Sequence, residues 1–539
     1  MKLKIMIMAL LLLTGIGSAV NWIPESQMEP GTSLTFNGGH VINGTRYIHN
    51  IVDYGAIAGD DICDADEIEA AIAAASPGDT ILFPAGDFNY ESRIDVANDL
   101  TYLGLPGSRL IDTGGNVAGG FYSADAKNIT VDGLHFYGSK AVTAGTSVGI
   151  CFINISNVVI TNTEIEQTGN SAAVLGSSVS TSVVSDLTVT RCYFHHNGDS
   201  SAPTGDNLFS RGFTMSNIYI VGNTFEEAYH YGVVIYANRT GSGENIIFSQ
   251  NMLPSASQTS ISSLIIGFNG ATVEGNIVSD SYNDGIALWR CCNFSVTGNT
   301  IRNIEWGDGI VIDCSSNGII SSNSITTIGS IGINLCDSTE AMGLTYNNIV
   351  IGNHISNGNT YGHAISYGIQ LHHATNNYII ANIIVDGNWT RSIGEYAGTS
   401  SNYNVLLYNI ANAVWNKRYA VIGSGTFYLQ SSAPGSKSLA NGMGIGVNTG
   451  FPSALLELNQ LKSGFDYPVL YLRQADYDEE FIFFRSRSTT TNAYPLVDAT
   501  DLSTPGSIAG WIKIYIQDDA ESGAITDGTY YVPFYSTPT

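Results

Sequence analysis

Charged residues are scarce in this 539-residue chain, and their scarcity excludes several kinds of protein. Only 13% of residues are Asp, Glu, Lys or Arg, against about 25% in an ordinary soluble domain. Hydrophobic residues make up 44%, so the chain can bury a core and is not intrinsically disordered. The remaining charge is acidic, with 21 basic against 47 acidic residues and a net charge of −26. A field of that sign repels phosphate, so we expect no nucleic-acid partner.

Cysteine and long apolar runs are scarce as well. The seven cysteines include no CxxC pair and no His/Cys ligand spacing, so we predict neither a disulfide scaffold nor a structural zinc site. The N-terminus has Lys2, Lys4, an apolar run over residues 5–13 and small residues at 17–19, which predicts a cleaved signal peptide over residues 1–19. No later stretch reaches 18 apolar residues. We therefore expect a secreted or cell-surface protein without membrane insertion after cleavage.

An internal repeat occupies the middle of the chain. Segments such as YIVGNTF (219–225) and SVTGNTI (295–301) place Asn after apolar residues, with another apolar residue two positions later. The repeated asparagines are spaced 23 to 30 residues apart and are Asn223, Asn251, Asn276, Asn299, Asn323, Asn353, Asn382 and Asn409. The same frame extends backwards to Cys192, Thr163 and Leu134.

Repeat units of this length are too small to bury their own apolar face, so they must stack. Their runs of Ile, Val, Thr and Phe indicate strands. A leucine-rich repeat needs regular Leu positions, and a propeller blade needs about 40 residues or more. The sequence therefore predicts an all-β right-handed parallel β-helix, one coil per unit, with the asparagines stacked inside a turn.

A second column of the repeat has glycine before an aliphatic residue, at Gly232, Gly285, Gly309, Gly332 and Gly368. We expect these glycines to permit a bend with positive φ. A short strand follows each, with its first and third residues pointing inward and its second and fourth outward. The predicted outward residues are Tyr236, Trp289, Asp313, Cys336 and His372.

The two ends of the chain differ from the repeat. Residues 51–94 read as strand, acidic helix, turn and strand, with Asp64 or Asp66 able to cap a helix that continues through about Ala75. Such a helix would cover the first coil of the solenoid. We predict a lead-in over 20–50, the β-helix over 51–415, a linker over 416–444 and a small C-terminal β domain over 445–539.

The opening segments DYGA (53–56), DADEIEAAIAAA (64–75) and FPAGDF (83–88) resemble the start of pectin lyase-like right-handed β-helix proteins. That superfamily includes polygalacturonase-type and exo-glucanase-type hydrolases, pectate lyases and phage tailspikes. The resemblance covers roughly residues 50–410 and implies the fold and a carbohydrate substrate. The ordered Asn-Thr-Asp, Asp-Asp, Gly-His-Gly and Arg-Ile-Lys motifs of the polygalacturonase type are not present, so the resemblance assigns no catalytic residue.

Paired carboxylates are the candidate chemistry of the repeat. Asp284 and Asp308 occupy the same column one coil apart, and glycosidic cleavage by acid and base needs two such groups. Their mutual repulsion would raise one pKa, as a general acid requires. Asp313 is the third candidate catalytic residue. Ordinary Asp-Gly turn structure and Ca²⁺ ligation are the alternatives for these aspartates.

Aromatic and basic residues near these carboxylates are candidates for substrate binding. Tyr282, Trp289 and Trp306 offer flat faces on which a sugar ring can rest. His230 and Tyr231 could act as base and acid on a uronate, with Arg211 nearby.

Three functions follow for a secreted solenoid with these residues. The first is a polysaccharide hydrolase that uses paired carboxylates, the second a non-catalytic adhesin or spike-like protein that binds surface glycans, and the third a Ca²⁺-assisted lyase or epimerase. The first requires no cofactor. We expect any homo-oligomer to form through the C-terminal domain.

Overall fold

The computed structural model describes residues 47–411 except 115–119, 139–147, 178–180, 199–204, 239–242, 256–258, 338–344, 361, 363–365 and 396–400. It also describes the backbone of eight strands outside that range, at Leu34–Phe36, His40–Ile42, Tyr419–Ala420, Phe427–Leu429, Met443–Gly446, Leu456–Asn459, Ile508–Ile516 and Gly528–Tyr535. The predicted signal peptide lies outside the described residues, as do most of the predicted linker and C-terminal domain.

Three long parallel sheets form a β-solenoid, and the predicted all-β parallel β-helix is confirmed. Sheet 1 consists of Ile48–Asn50, Thr80–Phe83, Thr101–Gly104, Lys127–Asp132, Ile155–Thr161, Val183–Thr190, Thr214–Val221, Gly243–Ser249, Phe268–Glu274, Ser295–Thr297, Ile319–Ser321, Ile349–Ile351, Tyr378–Ile380, Val405–Leu407 and Phe427–Leu429. Sheet 2 consists of Gly86–Tyr90, Ser108–Asp112, His135–Tyr137, Glu164–Glu166, Tyr193–His195, Thr224–Glu226, Met252–Pro254, Ile277–Ser281, Thr300–Ile304, Ser324–Ile328, His354–Gly358, Ile383–Val385 and Ile410–Ala411. Sheet 3 consists of Ile94–Asp95, Phe121–Ser123, Ile150–Phe152, Ala173–Gly176, Leu208–Gly212, Val233–Ala237, Ser263–Ile266, Ile286–Trp289, Ile310–Asp313, Ile333–Cys336, Tyr367–His372, Arg391–Glu395 and Tyr419–Ala420.

Each coil runs from sheet 1 through sheet 2 to sheet 3, and we name the connections turn 1, turn 2 and turn 3 in that order. The inward side chains are almost all aliphatic or aromatic and fully buried, as Ile286, Leu288 and Ile301 illustrate. They form one continuous core along the stack. This core holds the three sheets together, because burial of apolar surface is the main stabilising contribution to folding.

The asparagine column lies inside turn 1, and the predicted ladder is confirmed. Each asparagine side chain donates from Nδ2 to Oδ1 of the next, over 2.9–3.1 Å between Asn223 and Asn409. The same Oδ1 also accepts the backbone N–H of the previous asparagine, as in the 2.9 Å bond from Asn276 N to Asn299 Oδ1. The asparagines are buried, so the ladder satisfies polar groups that water cannot reach.

The residue before each ladder position has a left-handed backbone conformation, with φ between +48° and +71°. Glycine fills this place in several coils, and Arg191, Gln250, Ser322, Ala381 and Tyr408 fill it in others. Since non-glycine residues adopt this conformation at a cost of about 1 kcal/mol or more, the ladder and core must enforce the geometry of turn 1.

The expectation of positive φ at the glycines of the second column is wrong. None of Gly232, Gly285, Gly309, Gly332 and Gly368 has a positive φ. Glycine is needed at Gly285, Gly309, Gly332 and Gly368 because the coils approach too closely there for a side chain. A Cβ at Gly309 would lie 2.6 Å from the carbonyl oxygen of Gly332 on the next coil.

One α-helix, α1 (Ala65–Ala74), lies beside the first coils and follows a short 3₁₀ helix at Ile51–Tyr54. Its buried side chains join the solenoid core and are Ala65, Ile68, Ala71 and Ile72. Asp64 takes the N-cap position, but its carboxylate accepts the backbone N–H groups of Ile57 and Asn89 instead of capping the helix. That α1 covers the end of the solenoid stays a prediction.

The chain divides into two units, residues 1–465 and 466–539. Within the second unit, Ile508–Ile516 and Gly528–Tyr535 pair antiparallel. The predicted domain boundary at residue 445 stays a prediction. Among the described residues, no helix has the length and apolar character needed to cross a membrane.

Candidate active site

The outer face of sheet 3 carries the residues that the sequence predicted to point outward. Strand register places them in one column, which also includes Ile266 between Tyr236 and Trp289. Trp289, Asp313, Cys336 and His372 follow on consecutive coils. Apolar side chains of the same face form their own buried cluster, which includes Leu264, Ala287 and Val311. Arg211, Asn334 and Gln370 are polar members of the face.

Asp284 and Asp308 lie in turn 2 of consecutive coils, at the edge of this face. The backbone N–H of Asp308 donates to Asp284 Oδ1 over 2.8 Å. Asp284 is half-buried, and Asp308 is 8% exposed. Asp284 is thus the member of the pair that solvent or a substrate reaches first.

The pKa of the Asp284 carboxyl is raised to about 7, mainly by burial and next by the Asp308 carboxylate, against a smaller lowering by the Asp308 N–H. An Asp with an ordinary pKa of 3.8 is ionised at neutral pH, whereas Asp284 keeps its proton for part of the time. A carboxyl that holds a proton near pH 7 can serve as a general acid.

The Asp308 carboxylate is fixed by two donors from the next coil. Its Oδ1 accepts the Ile331 backbone N–H over 2.9 Å, and its Oδ2 accepts Asn334 Nδ2 over 2.8 Å. Donors of this kind stabilise the ionised form of a carboxylate. The two aspartates therefore have different environments. Both oxygens of Asp308 accept hydrogen bonds from the next coil, whereas Asp284 accepts the Asp308 N–H on Oδ1.

Asp313 lies on the outer face of sheet 3 and is also buried, at 6% exposure. The Cys314 thiol donates to Asp313 Oδ1 and Asp337 Oδ1, both over 3.2 Å, and burial with these carboxylates raises the pKa of that thiol. Burial also raises the pKa of Cys336, and the carboxylates of Asp313, Asp308 and Asp284 add to the effect in that order. All three candidate catalytic aspartates thus influence the pKa of one thiol, and Asp313 is its neighbour in register.

The candidate aromatic residues divide between the sheet face and the turn. Trp289 is half-buried beside Asp313 in the outer column, and its Nε1 has no hydrogen-bond partner among the described residues. Tyr282 and Trp306 lie in turn 2 of the coils of Asp284 and Asp308, joined by the Trp306 N–H donating to Tyr282 O over 2.8 Å. Both are more than 40% exposed. They form an exposed aromatic edge next to the carboxylate pair.

His230 and Tyr231 lie in turn 2 two coils before the coil of Asp284, apart from the aspartate pair. Asp206 Oδ1 lies 3.1 Å from His230 Nδ1 and accepts the Tyr231 backbone N–H over 3.0 Å. Arg211 lies on the outer face of sheet 3 with its guanidinium 4.7 Å from the centre of the Tyr236 ring. Four strand steps separate Arg211 from Asp313 in the register, about 19 Å at 4.8 Å per step.

A cavity of about 620 Å³ opens on the sheet 2 side of turn 2. Its lining residues are Asp280, Ser281, Asn303, Ile304, Glu305, Thr327 and Thr360. Neither Asp284 nor Asp308 lines it, but Glu305 precedes Trp306, whose Nε1 donates to the Glu305 carboxylate over 3.1 Å. The cavity is thus linked to the aromatic edge through Glu305 and Trp306.

Sequence reasoning missed Asn334, Asp337 and the orienting role of Asp206. Asn334 is the second residue of the strand INLC (333–336), a position that the repeat predicts to point outward. The outward rule therefore covers Asn334, but it does not show that its amide donates to Asp308. Asp337 and Asp206 lie in turns of variable length, where spacing carries no register.

The raised pKa of Asp284 predicts a pH-dependent contribution to stability. The folded state keeps this proton up to about pH 7, while the unfolded chain releases it near 3.8, so folding becomes less favourable as the pH rises between these values. Asp284→Asn should therefore gain stability relative to the parent protein on going from pH 5 to pH 8. Thermal unfolding of both proteins at the two pH values measures the difference.

The control for this experiment is Ser279→Ala, which changes a buried residue of the same coil that has no titratable group. Its effect on the unfolding midpoint should be the same at pH 5 and pH 8. An Asp284→Asn effect that is equally independent of pH would contradict the elevated pKa.

Comparison with protein families finds one match. The family model described as "Right handed beta helix region" matches residues 107–253 and 261–410, together more than half of the chain. No curated protein matches the sequence.

Comparison with solved structures finds similarity to several β-helical proteins. The A-module of mannuronan C-5 epimerase AlgE6 from Azotobacter vinelandii has 16% identity and a TM-score of 0.47, and the match covers 71% of this chain and 100% of that one. DFA-IIIase from Arthrobacter chlorophenolicus A6 has 14% identity and a TM-score of 0.45, and the match covers 70% of this chain and 98% of that one. Tailspike protein 2 of Escherichia coli O157:H7 bacteriophage CAB120 has 12% identity and a TM-score of 0.37, and the match covers 70% of this chain and 45% of that one.

Proposed function

Since the chain belongs to the family of right-handed β-helix proteins, we propose that it is an enzyme that cleaves an extracellular polysaccharide by paired-carboxylate glycoside hydrolysis. The observation that carries the proposal is the Asp284 carboxyl, half-buried beside Asp308 with its pKa raised to about 7. Glycoside hydrolysis needs one carboxyl that donates a proton and one that stays ionised. The different environments of Asp284 and Asp308 meet that requirement.

In the proposed reaction, Asp284 gives its proton to the glycosidic oxygen while the bond from that oxygen to the anomeric carbon breaks. The ionised carboxylate of Asp308 supports the developing positive charge on the sugar ring and takes part in the attack on the anomeric carbon, either directly or by removing a proton from water. Water supplies the hydroxyl group of one product. After direct attack by Asp308, the other proton of the water goes to Asp284; when Asp308 activates the water instead, that proton goes to Asp308, and exchange with solvent returns both carboxyls to their starting states. Asp313 is the alternative carboxylate.

The exposed edge of turn 2 suits a sugar polymer. Tyr282 and Trp306 present their side chains to solvent on consecutive coils, and an extended chain of sugar rings can lie along the solenoid axis across them. The described coils between residues 141 and 411 contain no Lys, so a neutral glycan fits the surface better than a polyanion. Export to the cell surface or medium, as the N-terminal sequence predicts, would give access to such a substrate.

A second function is favoured by the arrangement of Asp206, His230 and Tyr231. The Asp206 carboxylate contacts both His230 Nδ1 and the Tyr231 N–H, and a carboxylate that orients an imidazole is a known feature of proton abstraction. A lyase or epimerase acting on a uronate, with Ca²⁺ to neutralise the substrate charge, would use these residues instead of Asp284. A glycan-binding adhesin would need the aromatic edge alone.

A panel of neutral and acidic polysaccharides separates these functions. We expect new reducing ends from a neutral polymer, without unsaturated uronate products and without a requirement for Ca²⁺. Release of unsaturated uronate or inversion at a uronate carbon, dependent on Ca²⁺ and lost in His230→Ala, would establish the second function instead. Binding without turnover of any polymer would contradict both enzymatic proposals and support the adhesin.

A further inference from the structure

The outer face of sheet 2 holds a group of histidines and glutamates away from the aspartate pair. Strand register aligns His135 with Glu164 and Tyr193, and it aligns Tyr137 with Glu166 and His195. Two glutamates therefore share one face of the central strand, Glu164–Glu166, with a histidine on the strand to either side. We call His135, Glu164, Glu166 and His195 the His–Glu cluster.

Each histidine of the cluster lies diagonally across from one glutamate and near the other. His135 Nε2 lies 2.9 Å from Glu166 Oε1, and His135 Nδ1 lies 3.8 Å from Glu164 Oε2. On the opposite side, His195 Nε2 lies 3.0 Å from Glu164 Oε1, and His195 Nδ1 lies 3.8 Å from Glu166 Oε2. Both carboxylates are thus held between two imidazoles.

One nitrogen or oxygen atom from each of His135, Glu164 and Glu166 lies within 4.8 Å of the other two. Ligand atoms around a tetrahedral Zn²⁺, at 2.0–2.2 Å from the metal, lie about 3.4 Å apart. Small side-chain rotations therefore bring these three groups to coordination distance. The three side chains are only partly buried, with Glu164 39% exposed, so the site is open to an ion from solvent.

Charged neighbours leave the cluster negative when its histidines are neutral. Arg109, one strand before His135, pairs with Asp87 at 3.4 Å, and the His196 ring pairs with Glu227 at 2.8 Å. Glu226 adds a further carboxylate, which accepts the Tyr193 hydroxyl over 2.5 Å. Glu164 and Glu166 together carry two negative charges that these neighbours do not neutralise. One divalent cation would neutralise both.

We propose that the His–Glu cluster is a binding site for a divalent transition-metal ion of the Zn²⁺ type. Imidazole nitrogen with carboxylate oxygen is a ligand set that suits Zn²⁺ and related ions, whereas Ca²⁺ and Mg²⁺ prefer oxygen ligands alone. The site lies on sheet 2, separate from the aspartates of turn 2, and does not depend on the proposed hydrolase activity.

Within this site His135, Glu164 and Glu166 are the ligands, and three protein ligands leave one coordination position for water or another small ligand. His195 is a positioning residue, because its Nε2 contacts Glu164 from the side opposite His135. Tyr193 stacks on the His195 ring with centres 4.0 Å apart and holds it in place. Groups that orient a metal ligand in this way affect affinity by about 10- to 100-fold.

The test adds Zn²⁺ alone to the full chain and measures binding by isothermal titration calorimetry. The visible absorption of bound Co²⁺ is the second measurement. We expect one Zn²⁺ per chain at this site. Glu166→Gln and His135→Ala should remove that binding event and the Co²⁺ absorption, and His195→Ala should weaken binding by about 10- to 100-fold. Glu166→Gln keeps the shape of the side chain, so it separates loss of a ligand from loss of folding, which circular dichroism checks.

The matched control is His354→Ala. His354 occupies the same column of sheet 2 as His135, eight coils further on, but Ser324 and Ile383 are its neighbours in register. Its removal should leave the Zn²⁺ stoichiometry and affinity unchanged. Absence of Zn²⁺ binding by the parent protein, or retention of full binding by both Glu166→Gln and His135→Ala, would overturn the proposal.

Discussion

Replacing Asp284 with asparagine is expected to lower the turnover number for polysaccharide cleavage by about 10²- to 10⁴-fold, the usual contribution of a general acid. Asparagine keeps the oxygen that accepts the Asp308 N–H but has no proton to give to the leaving oxygen. The structure should therefore survive while the chemistry is lost. Initial rates of reducing-end release, measured with saturating substrate, give the comparison.

Asp308→Asn should have an effect of similar size in the same assay, because the reaction needs the ionised partner. An amide at this position would place its NH₂ group against Asn334 Nδ2, but Asn334 Oδ1 has no partner among the described residues. Asn334 can therefore rotate its amide and restore the hydrogen bond. If Asp308→Asn only moves the pH profile to lower values, Asp308 is a positioning residue that sets the pKa of Asp284.

The control for both variants is Asp186→Asn, on the exposed side of sheet 1. Asp186 also accepts an asparagine Nδ2 from the next coil, that of Asn217, over 2.9 Å, so the substitution changes a comparable hydrogen bond far from the pair. Its activity should equal that of the parent protein. Unchanged sugar release in Asp284→Asn would remove the aspartate pair from consideration.

The second large effect is expected for stability, on removing one asparagine of the ladder. Asn299 donates Nδ2 to Asn323 Oδ1 and to Val273 O, each over 3.0 Å, and its Oδ1 accepts two donors from Asn276 over 2.9 Å. Asn299→Ala leaves the Asn276 N–H and the Val273 carbonyl without these partners inside a buried turn. At about 1–3 kcal/mol for each buried unsatisfied group, we expect a loss of about 3–5 kcal/mol.

Urea and thermal unfolding of Asn299→Ala measure this loss, which should appear as a midpoint lower by several degrees. The matched control is Asn269→Ala, since Asn269 accepts Asn293 Nδ2 over 2.7 Å on an adjacent coil but is exposed. Water can replace that hydrogen bond, so the control should change stability by no more than about 0.5 kcal/mol. Equal effects of the two substitutions would show that the ladder contributes nothing beyond its surface counterpart.

The asparagine ladder could be predicted from the sequence because turn 1 has the same length in every coil of the ladder. Two residues separate sheet 1 from sheet 2 in the coils from 133–134 to 408–409, so the asparagine and the strand after it keep a visible frame. The outward column of Trp289, Asp313 and Cys336 could be predicted for the same reason, since strand alternation continues from a fixed glycine.

A second buried ladder of asparagines lies in turn 3 and was not predicted from the sequence. Asn348 donates Nδ2 to Asn377 Oδ1, and Asn377 donates to Asn404 Oδ1, over 3.1 and 3.2 Å. These asparagines precede strands of sheet 1 at a place where coils differ in length, so their spacing alone does not identify a column. Only the hydrogen bonds of the folded chain identify this column.

The His–Glu cluster was also missed, although the frame contained it. Leu134, Thr163 and Cys192 mark the ladder position of three coils, and the residues one and three places later are the members of the cluster and their tyrosine neighbours. A search of sequence spacing for metal ligands finds nothing because the ligands are about 29 residues apart. Folding the repeat into columns brings them to neighbouring strands.

The constant length of turn 1 has a consequence for how this solenoid can change. Turn 2 has four residues at 282–285 but twelve at 196–207, while the strands on either side keep their register. Insertions and deletions can therefore accumulate in turn 2 without disturbing the ladder or the core, and turn 2 is where Asp284 and the exposed aromatic residues lie. Substrate preference in such a protein can diverge by loop exchange between homologous chains, with the coils retained as an unchanged scaffold.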